Sequence, residues 1–557
     1  MNIYDDKLIK LIEEIEKVRR RKVVNYENDD NIQYLDPFNN LGKIKIPNNH
    51  LILGRRGSGK TTLLLSTIKE DSNNFILPLD CQTFREWKSD KIILNILLQI
   101  AERLKRHIVR YTDYYTLNEA LLNRGFIQKI KDAFKGEEIT KLDEYNFLIG
   151  TLKKTEHLIE VISNLPSEPI KIDINSTSTQ SESKKVVTSL ELKAIAKLTA
   201  KGKVPTKFLS LDGSLESAVS ASRVASNEAK SDKVLKESFK YEKIITKQEK
   251  IDELIFLFAE IASEFNRLSN KRIVIYLDDF YLVNWDYQPE VIQFFHDIYK
   301  NSKNDSFCSK ICSLPNRTKL NKDGKVDFSI KDDFSPIRLD KELYDFQNLV
   351  EFLLRITSNL EPNLELSTTD IRGIFSNDEV LNYTVVATGG VPRDFLVILS
   401  EIIKIAKSES ASAIKKEHLY SAISDLRQDK EQNIEIECDI APDKLRQAIE
   451  IIQKEVIDGL KTNVILYPSK FVKEHELILK NLINLRYLHV INENMSSERV
   501  KKESFTSYLI DMTFYATGKR LKQNFEFRPF WIQDSGHRHI HLRNAPIWKF
   551  EDEFAKI

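Results

Sequence analysis

Three glycines within six residues, Gly54, Gly57 and Gly59, stand immediately before Lys60 and Thr61 in a chain with only 16 glycines in 557 residues. No other stretch constrains the fold as much, because such a run asks for a tight turn whose backbone N–H groups face inward. Apolar residues 50–53 precede it, and a helical pattern over residues 61–68, including Thr62, Leu63, Leu64 and Leu65, follows it. A strand, a glycine turn and a helix open an α/β domain. The spacing from Gly54 through Arg55, Arg56, Gly57, Ser58 and Gly59 to Lys60 and Thr61 fits the P-loop pattern. In that pattern the loop amides cradle phosphates, the lysine reaches the β- and γ-phosphates, and the threonine hydroxyl takes Mg²⁺. Gly54, Gly57, Ser58, Gly59, Lys60, Thr61 and Thr62 are thus the candidate binding residues, with ATP and Mg²⁺ as the ligands expected.

Hydrolysis needs more than a phosphate cradle, since Mg²⁺ and the attacking water require carboxylates at a neighbouring strand end. Residues 272–277 form a β-branched and aromatic run of the kind a buried parallel strand uses, and it ends in Asp278 and Asp279. This fits a Walker B strand. Asp278 is expected to hold Mg²⁺ through its water shell, beside Thr61, and Asp279 to orient or deprotonate the water. Other carboxylate pairs, such as Asp332 and Asp333, have no apolar strand behind them.

The length allows three or four domains. Residues 1–45 read as an N-terminal helical segment, with Leu8, Leu11, Ile12, Ile15 and Val18 at helical spacing and Arg19, Arg20, Arg21 and Lys22 closing the helix. Its apolar face is expected to pack on the next domain. Residues 46–104 carry the P-loop half of a core, with a second strand at 75–79 and an amphipathic helix at 92–104. Residues 105–250, rich in Ser, Thr, Lys and Ala and partly of low complexity, read as an insertion, helical at its start and loosely structured or β-hairpin-like in the middle. Lys60 and Asp278 are 218 positions apart, far more than a compact core requires. The core resumes over 251–341, with a helix at 289–299 and a strand at 307–314. A helical lid follows over 342–430, broken at Gly389 and Gly390, and a last domain over 431–557.

Four features occur in order: the P-loop, the Asp-Asp pair, a strand ending Ser313-Leu314-Pro315-Asn316-Arg317, and the sequence Gly389-Gly390-Val391-Pro392-Arg393-Asp394. This order resembles the AAA+ ATPases of the origin-recognition initiator clade and the related STAND signalling ATPases. The resemblance implies a three-layer α/β P-loop NTPase core with a parallel sheet, a helical lid and a C-terminal winged-helix-like domain. It also implies that Asn316 or Arg317 reads the γ-phosphate as sensor 1 and that Arg393 reaches it from the lid as sensor 2. Pro392 suits a first helical turn, where its missing N–H costs nothing. Asp279 stands where many such ATPases carry glutamate, so slow turnover is expected. No arginine finger can be identified in the sequence.

In the last domain, Val472, Leu477, Ile478, Leu479, Leu482, Ile483 and Leu485 mark a helix, and residues 487–491 and 505–515 alternate as a hairpin around a polar tip. Arg499, Lys501 and Lys502 sit at that tip, where a basic wing can rest on the phosphates of double-stranded DNA. His537, His539 and His541 alternate, but a polar strand face is the default for such a pattern. Phe525, Phe527, Phe530 and Trp531 read as core.

With 84 basic against 83 acidic residues, any nucleic-acid contact must come from a local patch. Four scattered cysteines, with Cys308 and Cys312 roughly 13 Å apart along one strand face, exclude a disulfide framework and fit a reducing cytoplasm. No apolar run is long enough to cross a membrane. Two readings follow. In one, an ATP switch acts on DNA through the last domain. In the other, a STAND-like scaffold assembles as a nucleotide-dependent homo-oligomer and recruits a protein partner, with the insertion as the contact surface.

Overall fold

The computed structural model describes residues 3–19, 34–36, 38–116, 137–163, 170–178, 237–245, 247–322, 328–438, 440–534 and 539–551. Arg20, Arg21, Lys22, His537 and residues 117–136 and 179–236 of the insertion lie outside them. The first helix, α1 (Asp6–Arg19), is followed by the short α2 (Asn40–Ile44), strand β1 (His50–Leu53) and helix α3 (Lys60–Glu70), so the glycine run is the turn between strand and helix. Next come β2 (Phe75–Asp80), α4 (Ser89–Thr116), α5 (Glu137–Ser163), a ribbon of β3 (Ile170–Ser178) and β4 (Glu237–Ile245), and α6 (Lys247–Ser269). The core resumes with β5 (Ile273–Asp278), α7 (Gln288–Asn301), β6 (Phe307–Ser313) and β7 (Ser335–Arg338).

Five of these strands form one parallel sheet in the order β2-β5-β6-β1-β7. The burial pattern follows from position: every residue of β1, β5 and β6 is buried, whereas β2 and β7 at the margins are only partly so. Side-chain alternation builds the three layers. Leu51, Leu53, Ile273, Ile275, Leu277, Phe307 and Ile311 face the layer that holds α4 to α7. Ile52, Val274, Tyr276, Cys308 and Cys312 face α2 and α3. Cys308 and Cys312 do share a face, and both are free and buried. β7 was not expected from the sequence: it is four residues long, contains Pro336 and is half exposed, all features of a marginal strand.

The insertion begins as expected with helix and contains an antiparallel ribbon, whose register pairs Ile170 with Ile245 and Ser178 with Glu237. Helices α5 and α6 extend the core's helical layer. Leu158, Val161 and Ile162 of α5 share one apolar cluster with Ile96, Ile100 and Phe258, and Lys154 bonds Glu260 of α6 at 2.6 Å.

The lid comprises α8 (Phe346–Ser358), α9 (Asp378–Ala387), α10 (Pro392–Ser408) and α11 (Lys416–Glu437). Along α10 the buried residues Phe395, Leu399, Ile402 and Ala406 recur at helical spacing. They pack with Leu8, Leu11 and Ile15 of α1, and Lys404 bonds Glu16 at 2.8 Å. The N-terminal helix thus does pack by its apolar face, but on the lid rather than on the domain next in sequence.

The chain then runs through α12 (Pro442–Ile451), a π-helical turn to Leu460, β8 (Val464–Pro468), α13 (Ser469–Val472), α14 (Glu476–Asn484), β9 (Leu488–Ser496) and β10 (Ser504–Ile510). The three strands form an antiparallel sheet in the order β8-β10-β9, and residues 497–503 join the last two. Helix, strand, two helices and a two-stranded wing is a winged-helix-like order. The final strand stops at Ile510, short of the expected 515, because Asp511 accepts from the N–H of Thr513 and turns the chain into a 3₁₀ segment. The lid and this domain share one continuous apolar cluster. Among the described residues no helix is long and apolar enough to cross a membrane.

Candidate functional site

In a parallel sheet all strand C-termini lie along one edge, and the order here sets β6 between β1 and β5. Gly54 after β1, Asp278 at the end of β5 and Ser313 at the end of β6 therefore converge, and the N–H of Gly54 donates to the carbonyl of Ser313 at 3.3 Å. The loop needs its glycines. Gly57 and Gly59 have φ of +87° and +93°, in the left-handed region that side chains disfavour. A Cβ at Gly57 would also lie 3.0 Å from Cβ of Arg393 and from Cγ1 of Val391. Ser58 is half-buried in the loop, and Thr62 lies on the first turn of α3.

Lys60 begins α3 and is buried. Its Nζ donates to the carbonyls of Gly54 at 2.6 Å and Arg55 at 3.1 Å. Burial pulls its ammonium below the ordinary lysine range, against the pull of Asp279, Asp340 and Asp278. Thr61 Oγ1 donates to Asp278 Oδ2 at 2.8 Å, so the two expected Mg²⁺ ligands touch. The N–H of Asp279 donates to Asp278 Oδ1 at 2.9 Å, with Asp279 itself at φ +50°. Burial, and then the neighbouring Asp279 charge, push Asp278 up to about 6, while the bonds from Thr61 and the Asp279 amide oppose the shift.

These residues fit Mg²⁺: one hydroxyl and one carboxylate oxygen side by side are hard donors, and magnesium usually takes one or two protein oxygens plus phosphates and waters. Among the described residues no group of three His, Cys, Asp or Glu is placed to hold a metal ion by itself. His539 is buried, with its two ring nitrogens engaged by the Phe530 carbonyl at 2.9 Å and Gln533 at 2.8 Å.

The raised Asp278 has a testable consequence. Between its ordinary carboxylate value and about 6 the folded chain binds this proton more tightly than the unfolded chain, so the nucleotide-free protein loses stability as pH rises through that window. Asp278→Asn should remove the penalty, raising stability above pH 7 by about 2 kcal/mol. Calorimetry without nucleotide should show the variant melting higher at pH 7.5 and the difference shrinking by pH 5. An equal or lower melting point at pH 7.5 would contradict this.

The proposed sensor residues belong to different elements. Asn316 and Arg317 lie on a 3₁₀ turn directly after β6. The Arg317 guanidinium is 5.9 Å from the Tyr281 ring centroid, on the side of the Asp278-Asp279 turn. Arg393 is the second residue of α10, its N–H donates to the Gly57 carbonyl at 3.3 Å, and its Nε lies 4.0 Å from Oδ1 of Asp394. The lid helix therefore starts on the P-loop itself. Arg499, Lys501 and Lys502 are exposed on the wing between β9 and β10, far along the chain from these residues.

Four contacts at the site carried no signal in the sequence. The Arg55 N–H donates to both Asp340 oxygens at 2.9 and 3.0 Å, and its side chain reaches the Gly389 carbonyl at 3.1 Å. Asp340, just past β7, thereby anchors the loop. Gly389, at φ +56°, lies where any Cβ would overlap the His489 ring of the C-terminal domain. Tyr34 lies beside the loop, its ring 3.8 Å from the Cβ position of Gly59 and its hydroxyl accepting from Asn40 at 3.1 Å.

No family model matches the chain, and no curated protein matches it. Among solved structures it is similar to Cdc6p from Pyrobaculum aerophilum, at 12% identity over 87% of this chain and 92% of that one, with a TM-score of 0.29. It is similar also to the Aeropyrum pernix Orc1 protein in complex with DNA, at 11% identity over 91% and 88%, TM-score 0.29. A variant of Thermotoga maritima RuvB matches at 12% identity over 46% of this chain and 80% of that one, TM-score 0.23. At these scores no residue here takes a role from those proteins. On its own motif order and strand order, the chain resembles the AAA+ P-loop ATPases of the origin-recognition initiator clade.

Proposed function

We propose that this protein is a slow ATP-hydrolysing switch whose nucleotide state sets the placement of the C-terminal domain on duplex DNA. The observation that carries the reading is the hydrogen bond from Arg393 of the lid helix to Gly57 of the P-loop, because a phosphate entering the loop must meet the lid at that point. Lys60 and the loop amides would bind the phosphates, and Tyr34 would flank the base. Thr61 and Asp278 would hold Mg²⁺, which screens the phosphate charge when bound. Asp279 would orient the attacking water and accept its proton. Asn316 is the better candidate for sensor 1, since the Arg317 guanidinium rests against Tyr281. Arg393 would reach the terminal phosphate, and closure of the lid would carry the last domain with it.

The DNA end of this reading is supported by the wing, where among the described residues no ion pair involves Arg499, Lys501 or Lys502. Reversing all three to glutamate should weaken duplex binding at least ten-fold and flatten the salt dependence of log K by roughly 2 to 3, at about 0.9 for each phosphate that the wing no longer neutralises. Fluorescence anisotropy across a salt series measures both. Unchanged affinity and slope would remove the wing from DNA binding.

A second reading rests on α14. Glu474, Glu476 and Leu477 are exposed at its start, with Leu477 44% exposed. Acids repel phosphates, and an exposed apolar side chain next to them suits a protein partner instead, as in a STAND-like scaffold. ATP turnover with and without duplex DNA, with mass by light scattering in the same buffers, separates the two. DNA-stimulated turnover supports the switch on DNA, and DNA-indifferent turnover with ATP-dependent growth in mass supports the scaffold.

A further inference from the structure

The start of the lid helix is gripped from two sides. Arg393 meets the P-loop, and the next residue, Asp394, is paired through Oδ2 with a guanidinium nitrogen of Arg486 from the C-terminal domain. The other oxygen of the same carboxylate faces Arg393, whose Nε is 4.0 Å from Oδ1. One carboxylate thus lies between two arginines, one belonging to the nucleotide site and one to a different domain.

Arg486 is itself firmly held. It follows α14 at φ +62°, and its carbonyl accepts from Lys430 Nζ at 3.0 Å. Lys430 in turn bonds the buried Asp511 at 2.6 Å, and Asp511 also meets His489 Nε2 at 3.3 Å. These side chains line a cavity of about 210 Å³ between lid and C-terminal domain. Asp394 and Arg486 are each about one-fifth exposed, so their pair is less screened than a surface bridge.

We infer that Arg486 is a positioning residue for Arg393, acting through Asp394: by holding that carboxylate in the interdomain seam, it keeps Asp394 from drawing Arg393 away from the terminal phosphate of ATP. Loss of the Asp394–Arg486 pair turns Asp394 on Arg393 and lowers the preference for ATP over ADP. By reciprocity, ATP favours the intact Asp394–Arg486 pair. The inference rests on the reading that Arg393 contacts the γ-phosphate.

The test is the ratio of ATP to ADP affinities, each with Mg²⁺, measured by calorimetry on the full chain. Arg486→Gln should lower the ratio by about ten-fold, within the usual range for coupled sites, with ADP affinity held within about two-fold. Asp394→Asn, which removes the competing charge, should keep or raise the ratio, and the double variant should return it to wild type. A merely structural role for Arg486 would not be rescued by a second loss of charge. An unchanged ratio in Arg486→Gln, or a double variant as impaired as the single, overturns the inference. If Arg486→Gln does not fold, Asp394→Asn decides alone: a ratio lowered ten-fold overturns, a retained or raised ratio supports. Arg393→Ala, run in parallel, separates the two levels. If it leaves the ratio unchanged the sensor reading itself fails; if it lowers the ratio while Arg486→Gln does not, only the coupling fails.

Discussion

Replacing Lys60 with alanine should weaken ATP binding by about two to three orders of magnitude, the largest single effect expected in this chain. The ammonium is buried and bound by two carbonyls of its own loop, at 2.6 and 3.1 Å. It is therefore placed at the centre of the phosphate cradle before any ligand arrives. Its removal takes away the charge-assisted hydrogen bonds to the β- and γ-phosphates. Together these are worth about 3 to 4 kcal/mol. Calorimetric titration of Mg-ATP into wild type and variant measures the loss directly. Equal affinities would mean that the phosphates bind elsewhere.

Asp279→Asn should leave ATP affinity within about three-fold and slow turnover by about a hundred-fold, the usual scale for losing a positioned base. The substitution is a clean one for a structural reason. Asp279 sits at φ +50°, a conformation that asparagine adopts as readily as aspartate, and the bond from its N–H to Asp278 comes from the backbone and survives. What changes is the side chain's ability to take a proton from water. Single-turnover phosphate release, compared with binding in the same buffer, separates the two effects. Wild-type turnover in the variant would exclude Asp279 from the chemistry.

Strong local pattern made part of this legible. The apolar runs at 50–53, 272–277 and 307–314 became β1, β5 and β6 because a central strand is buried on both faces and must be apolar throughout. The glycine spacing located the nucleotide loop because only backbone geometry is at stake there. The margins were harder. β7 contains Pro336 and exposes alternate residues, so its composition does not separate it from a loop.

The contacts around the site were illegible for another reason: they join residues far apart in sequence and repeat with no period. Arg55 meets Asp340, Asp394 meets Arg486, and Gly389 abuts His489. Nothing local marks any of them. The helix at Leu8, Leu11 and Ile15 shows the same division. Its spacing declares an apolar face, while the partner, α10, lies far along the chain, 388 positions on at the Glu16–Lys404 bond.

The place of β2 at the margin of the sheet bears on how such a chain can diverge. β2 bonds one neighbour only, and the chain leaves the sheet after β2 and rejoins it at β5, with β6 between these two strands and β1. Residues added or removed between β2 and β5 alter no hydrogen bond of the three strand ends that meet at the nucleotide loop. Helices α4 to α6 still cover one face of the sheet, so a change of length in that segment is tolerated only while this apolar layer stays covered.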